Sequence, residues 1–345
     1  MSKSIVTDFP KVWKKKEYQT DFISFRLHAK VTLPIFMFCS FLITGPQMLS
    51  HPMKCWFPDV EKEFADSFCW TNSTYIIPYK QGRRFIYPGV MIPFDPVKNR
   101  NYGQEEFLYQ TAYQFYGLLL LMQAGSFYLP RLLWKYMEMD VIAGMVKPLK
   151  ARQNEKPSVE LKNIKEGVAM RIYSRSNYLQ AFCYKYMGCE FLAWANVLAQ
   201  FFVINWYMKG GFITYGLEAV GILNNNPFTM DYNFPKLTKC NLEIVGPSGS
   251  YEFKDGLCSL PLNKLNERIY IALWFWLVGV AIVGCVSLMT ITCLLTCTKA
   301  RSATTIDGKY HLIWYFLELN LLPDVVDDLR KLVAEEMTRA RSKEV

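Results

Sequence analysis

Cysteine is the residue type whose placement in this sequence carries the most chemistry. Ten are present, and four of them fall in two polar stretches: Cys55 and Cys69 in one, Cys240 and Cys258 in the other. The remaining six, Cys39, Cys183, Cys189, Cys285, Cys293 and Cys297, lie in or beside strongly apolar stretches. Two pairs in two polar loops, with none in the long polar stretch between them, is the distribution that an oxidising compartment selects for disulfides. Four cysteines admit three pairings, and spacing does not choose among them. No CxxC and no neighbouring histidine accompanies the four, so metal ligation lacks its usual partners. Asn72-Ser73-Thr74, three residues after Cys69, is an N-glycosylation sequon in the same polar stretch.

Acid–base and nucleophilic catalysis find no constellation. His28, His51 and His311 are the only histidines, widely separated and read as lying outside the apolar blocks. No HExxH, GxSxG, P-loop or dinucleotide fingerprint occurs. The expectation is a protein that is not an enzyme, with no cofactor and no metal.

The elements that must position the cysteines are apolar blocks about as long as a bilayer is thick, since a helix needs roughly 20 apolar residues to cross about 30 Å of hydrocarbon. Four such blocks are expected to be transmembrane helices: 30–48, 113–134, 186–208 and 269–296. They leave an N-terminal segment 1–29, a first outer loop 49–112, a middle loop 135–185, a second outer loop 209–268 and a C-terminal tail 297–345. The first segment has no short apolar core with a cleavage site, so the first span is expected to act as its own insertion signal.

Charge sets the expected sidedness. The N-terminal tail through Lys30 carries seven Lys/Arg against three acids, and the stretch from Arg131 to Lys185 carries eleven against five. The two cysteine-bearing loops balance at seven against seven and six against six. Excess Lys and Arg mark the cytoplasmic side, which puts both termini and the middle loop inside and the cysteine loops outside. The net charge of +9 is therefore a topology signal, and no nucleic-acid partner is implied.

Polar residues inside the blocks need an account. The third block carries Glu190, Asn196, Gln200 and Asn205, with Asn196 and Gln200 four apart on one helix face. Such residues face a bundle interior or a watery path, or they fix packing by interhelical hydrogen bonds. Pro34 sits in the first block, and Pro130, followed by Arg131, is expected to kink the second helix at its cytoplasmic end. In the second outer loop, Gly246-Pro247-Ser248-Gly249 and Asp255-Gly256 are both expected to be turns. Val325, Val326, Leu329, Leu332 and Val333 recur at helical spacing in a tail helix expected over 323–341.

Several stretches together resemble the innexins, the invertebrate gap-junction proteins. Phe127-Tyr128-Leu129-Pro130-Arg131 with Leu133-Trp134-Lys135 is similar to the family's FYxPRxLWK stretch. FPKLTKC (Phe234 to Cys240), DGLCSLPLNKLNERIY (Asp255 to Tyr270) and LWFW (Leu273 to Trp276) form the most specific run. FRLHAK (Phe25 to Lys30), Cys69-Trp70 and Pro88-Gly89-Val90 add to it. The family's YYQW signature stands here as Ala112-Tyr113-Gln114-Phe115, which marks a divergent member.

The resemblance implies an all-α membrane protein: a four-helix subunit with disulfide-linked extracellular loops of small β content and a helical cytoplasmic domain. Eight such subunits would ring a wide pore, as homo- or hetero-oligomers with other innexins in plasma-membrane lipid. Two rings on apposed cells would dock into a gap junction passing ions and small molecules; the alternative is a non-junctional hemichannel. It further implies the nested disulfides Cys55–Cys258 and Cys69–Cys240. The N-terminal residues Met1, Ser2, Lys3 and Ser4 would line the pore, although the lysine-rich tail departs from the family's more apolar N-terminus.

Overall fold

The computed structural model describes residues 18–49, 52–72, 74–76, 108–110, 112–138, 140–152, 158–208, 210–222, 233–301 and 307–344. Met1, Ser2, Lys3 and Ser4 lie outside these residues. The chain divides into two compact units, one of Met1–Leu27, Leu129–Trp194 and Val283–Val345, the other of His28–Tyr128 and Ala195–Ile282.

Among the described residues, three helices are long and apolar enough to cross a membrane: Ile23–Leu49, Asn177–Tyr207 and Pro261–Cys293. The first, α1 (Ile23–Leu49), starts seven residues before the apolar block because Arg26, His28 and Lys30 do not interrupt helical hydrogen bonding. His28, read from sequence as outside the span, is a buried residue within this helix. Its backbone is π-helical over Leu27–Thr32 and α-helical again from Leu33. Pro34 follows directly; its ring lacks an N–H and crowds the carbonyl of Lys30, and a wider turn relieves both.

The second expected span forms α3 (Tyr116–Glu138), a helix of 23 residues that continues through Pro130. It is not among the three, because Gln123, Arg131, Lys135 and Glu138 lower its apolar average. The third and fourth blocks lie within longer helices, Ser176–Tyr207 and Pro261–Arg301 (α6 and α8 in chain order).

The first unit is helical. Besides parts of the long helices it holds α4 (Val141–Lys150), α5 (Val159–Ser174), α9 (Asp307–Glu318) and α10 (Pro323–Glu344). Its core includes Trp134, Val146, Ile172, Tyr186, Trp314 and Leu329. Burying each such side chain contributes on the order of 1.5–3 kcal/mol. Trp134 stands edge-on to Tyr186 at 4.7 Å, and Phe22 stacks on Tyr315 at 4.3 Å. Asn320 grips the chain beside Tyr18: its Oδ1 accepts from the Gln19 N–H at 2.6 Å and its Nδ2 donates to the Gln19 carbonyl at 2.7 Å. Ser158 caps α5 by accepting from the Leu161 N–H at 3.2 Å. Lys165 Nζ lies 2.7 Å from Asp328, joining α5 to α10.

The second unit contains a five-stranded antiparallel sheet of order β1-β5-β4-β2-β3. The strands are β1 (Lys54–Trp56), β2 (Thr74–Ile76), β3 (Leu108–Gln110), β4 (Leu237–Val245) and β5 (Tyr251–Ser259). Helix α2 (Lys62–Asn72) lies between β1 and β2 in sequence, and α7 (Phe212–Ala219) precedes β4. β4 and β5 form a hairpin whose turn is Gly246-Pro247-Ser248-Gly249, closed by Gly246 N–H on the Ser250 carbonyl at 2.8 Å. Gly249 has φ +77, which favours glycine.

Asp255-Gly256, expected to be a second turn, is instead the middle of β5. The glycine is there for packing: a Cβ at 256 would come within 2.2 Å of the Phe57 ring. Glycine in a strand interior commonly marks such a close approach.

Candidate docking and channel-forming elements

The sheet and α2 bring the four loop cysteines together. Cys55 and Cys258 are paired residues of adjacent strands β1 and β5, and their sulfurs are bonded. Cys69, on the inner face of α2, is bonded to Cys240 of β4. The sulfurs of Cys55, Cys69 and Cys258 all lie within 4.8 Å of one another, so the two bridges are side by side in the core of the domain. Asp66, one helical turn before Cys69, accepts from the Cys55 N–H at 2.5 Å. Both bridges therefore sit in a frame that α2 holds against the sheet. Cross-links closing loops this long restrict the unfolded chain strongly, typically by 2–4 kcal/mol each.

Outside this core the same strands present apolar side chains. Trp56 and Phe253 are each 71% exposed, and Leu257 is partly so. Lys239 Nζ lies 2.5 Å from Asp255, balancing charge on the sheet. The Tyr75 hydroxyl donates to Asn241 Oδ1 at 2.9 Å, and burial, helped by the nearby Asp255 charge, pushes its pKa up to about 12. Asn72 is exposed at the end of α2, where its side chain is accessible.

The polar residues of the third block have partners inside the chain. Glu190, 1% exposed, accepts from the Ser287 hydroxyl at 2.8 Å. Gln200 Nε2 donates to Asn196 Oδ1 at 2.9 Å and to the Ser126 hydroxyl at 3.0 Å. Asn205 Oδ1 accepts from the Phe212 N–H at 3.0 Å and so anchors the start of α7. The sequence did not single out Ser126, Ser287, Asp66 or Phe57. Serine among apolar residues and aspartate in a polar helix have no distinctive local signal, and only the fold reveals their partners.

A mostly helical chain with bilayer-length apolar helices and a small disulfide-knit sheet has the make-up of a membrane protein. The family model for innexins, described simply as "Innexin", matches residues 21–345. The chain is 34% identical over 283 residues to innexin shaking-B of Drosophila melanogaster, covering 77% of this chain and 71% of that protein. It is 33% identical to innexin inx2 of the same species over 279 residues, covering 77% and 72%. Against innexin inx2 of Schistocerca americana it is 33% identical over 271 residues, covering 77% and 74%. This protein belongs to the innexin family.

Proposed function

We propose that the chain is a plasma-membrane subunit of a gap-junction channel that passes ions and small molecules between adjacent cells. The observation that carries this reading is the innexin match running from residue 21 to residue 345, across the apolar helices and the cysteine-bearing domain alike.

The topology we propose has four crossings with both termini inside. A parity argument supports it. The Cys69–Cys240 bridge requires residues 69 and 240 to share one side of the membrane. Helix α6 crosses once between them, so an odd number of further crossings must lie elsewhere between Cys69 and Cys240. Among the described residues, the one other helix of about bilayer length in that interval is α3, whose 23 residues rise about 34 Å. Its polar residues are tolerable in a span that packs against other helices, and Ser126 is hydrogen-bonded to Gln200 in this way.

In this reading eight subunits form a ring, and the disulfide-knit domains are the docking face toward a second ring on the apposed cell. Cross-linked strands present their side chains in a fixed arrangement before contact, which lowers the ordering cost of docking. Balanced loop charge avoids repulsion between like surfaces. The N-terminal segment, Met1 to Ser4 included, would line the pore. Glu190, Asn196 and Gln200 would fix helix packing.

The alternative, a hemichannel open to the outside, turns on Asn72, because a glycan on its exposed side chain would obstruct ring-to-ring contact. The test is dye transfer between paired cells expressing only this chain, beside dye uptake by single cells. Transfer between pairs supports the junctional channel. Uptake without transfer, abolished as a difference by Asn72→Gln, supports the glycan-blocked hemichannel. Neither transfer nor uptake, with the chain at the surface, rejects a homomeric pore.

A further inference from the structure

Between α4 and α5 the first unit leaves a cavity of about 260 Å³. Its floor includes Val141 and Met145, and its polar groups are Asp140, Arg171, Arg175 and Tyr178. Arg171 reaches across to α4, where its Nη1 donates to the Gly144 carbonyl at 3.4 Å. A Cβ at 144 would stand 2.9 Å from that nitrogen, so a larger residue there would push the guanidinium aside. Arg175 ends α5, one turn beyond Arg171.

Neither guanidinium has an ion-pair partner among the described residues, in contrast to four other cations of this unit. Arg131 is paired with Asp21, Arg152 with Glu160, Lys165 with Asp328 and Arg330 with Glu318. The one carboxylate at the cavity, Asp140, accepts instead from the Tyr18 hydroxyl at 2.9 Å. Two arginine forks and a phenol around a partly open, solvent-reachable cavity suit a phosphate group, which can take several charge-assisted hydrogen bonds at once.

Position narrows the class of ligand. Tyr178 is the second residue of the apolar helix Asn177–Tyr207, and the continuous apolar block begins eight residues later, at Tyr186. Eight helical residues rise about 12 Å. A phosphodiester at the hydrocarbon edge is too close to the bilayer to fill this cavity, whereas phosphate esters on an inositol ring stand further into the cytoplasm. We propose that the cavity at Arg171, Arg175 and Tyr178 binds a phosphorylated inositol headgroup, carried by an inner-leaflet lipid or free in solution. The proposal rests on the cytoplasmic assignment of residues 135–185 made above.

The test uses the purified full-length chain in detergent and the fluorescence anisotropy of a labelled dioctanoyl phosphatidylinositol bisphosphate. Saturable binding is expected, weakened at least tenfold in R171Q/R175Q. The double variant K162Q/K331Q removes the same charge outside the cavity and is expected to bind within twofold of the parent. If R171Q/R175Q does not assemble normally, R175Q alone serves, since the Arg175 side chain has no hydrogen bond or ion pair to another described residue, and this change is expected to weaken binding several-fold. Displacement by equimolar inositol trisphosphate supports the site with a soluble ligand, and resistance to a hundredfold excess supports it with a lipid ligand. Equal affinity for phosphatidylserine of matched charge, or equal losses in both double variants, would overturn the proposal. Binding without cell-to-cell coupling counts against the channel reading alone, and coupling without binding counts against this site alone.

Discussion

Asp66 accepts a hydrogen bond from the backbone N–H of Cys55 at 2.5 Å, and both groups are buried. The bond ties the helix that carries Cys69 to the strand that carries Cys55, so one carboxylate serves both disulfides. Asp66→Ala leaves a buried N–H without its acceptor, a loss of about 1.5–3 kcal/mol for a bond to a charged group. The purified variant should unfold at a lower temperature and reach the cell surface less, while Asp66→Asn should retain part of both. Unchanged melting of Asp66→Ala would show that the sheet holds α2 without it.

Gly256 and Phe57 are predicted to be coupled. A methyl group at 256 has no room beside the Phe57 ring, and overpacking of this kind costs about 1–3 kcal/mol. Gly256→Ala should lower the melting temperature of the purified chain. In Gly256→Ala/Phe57→Leu the penalty of the glycine change should shrink relative to Phe57→Leu alone. Additive effects in that double-mutant cycle would contradict the contact.

Glu190 is predicted to act in packing and not in permeation. With its side chain buried and bonded to Ser287, Glu190→Gln keeps the hydrogen bond and removes the charge. Channels of this variant should retain their cation-to-anion permeability ratio, measured from reversal potentials. A shift in that ratio would show that Glu190 faces the ion path.

Tyr75 is predicted to make the disulfide-linked sheet sensitive to strong alkali. Its folded pKa is raised to about 12 by burial and by Asp255, above the unfolded value near 10, so the folded state holds its proton more tightly. That contribution is full below pH 10 and is lost as pH rises from about 10 toward 12. Tyr75→Phe should flatten the decline of melting temperature in that window, at the cost of the hydrogen bond to Asn241. An equally steep decline in the variant would assign it to other groups.

The sequence signals differed in what they could reach. Apolar composition points to long helices, because the bilayer length requirement is written into most residues of a span, and three of the four blocks overlap helices long and apolar enough to cross a membrane. Charges at Arg26 and Lys30 bound the apolar block but not helix α1, which begins at Ile23. The innexin assignment rested on ordered stretches such as Asp255 to Tyr270, and the family match over residues 21–345 agrees with it. Local turn composition misled at Asp255-Gly256, because the glycine there answers to a ring two hundred residues away in sequence. Asp66, Ser126 and Ser287 were illegible for the same reason: their roles are set by partners that only the fold brings near.

The central claim is that this chain is a gap-junction channel subunit, and we propose that it can build a channel joining two cytoplasms by itself. Its most direct test is junctional conductance between paired cells, each under voltage clamp and each expressing only this chain, with surface delivery verified by labelling. The account predicts a junctional current absent from unpaired controls and lost when Cys69 and Cys240 are both replaced by serine. Surface-delivered chain in both cells with no junctional current, with or without Asn72→Gln, would contradict it.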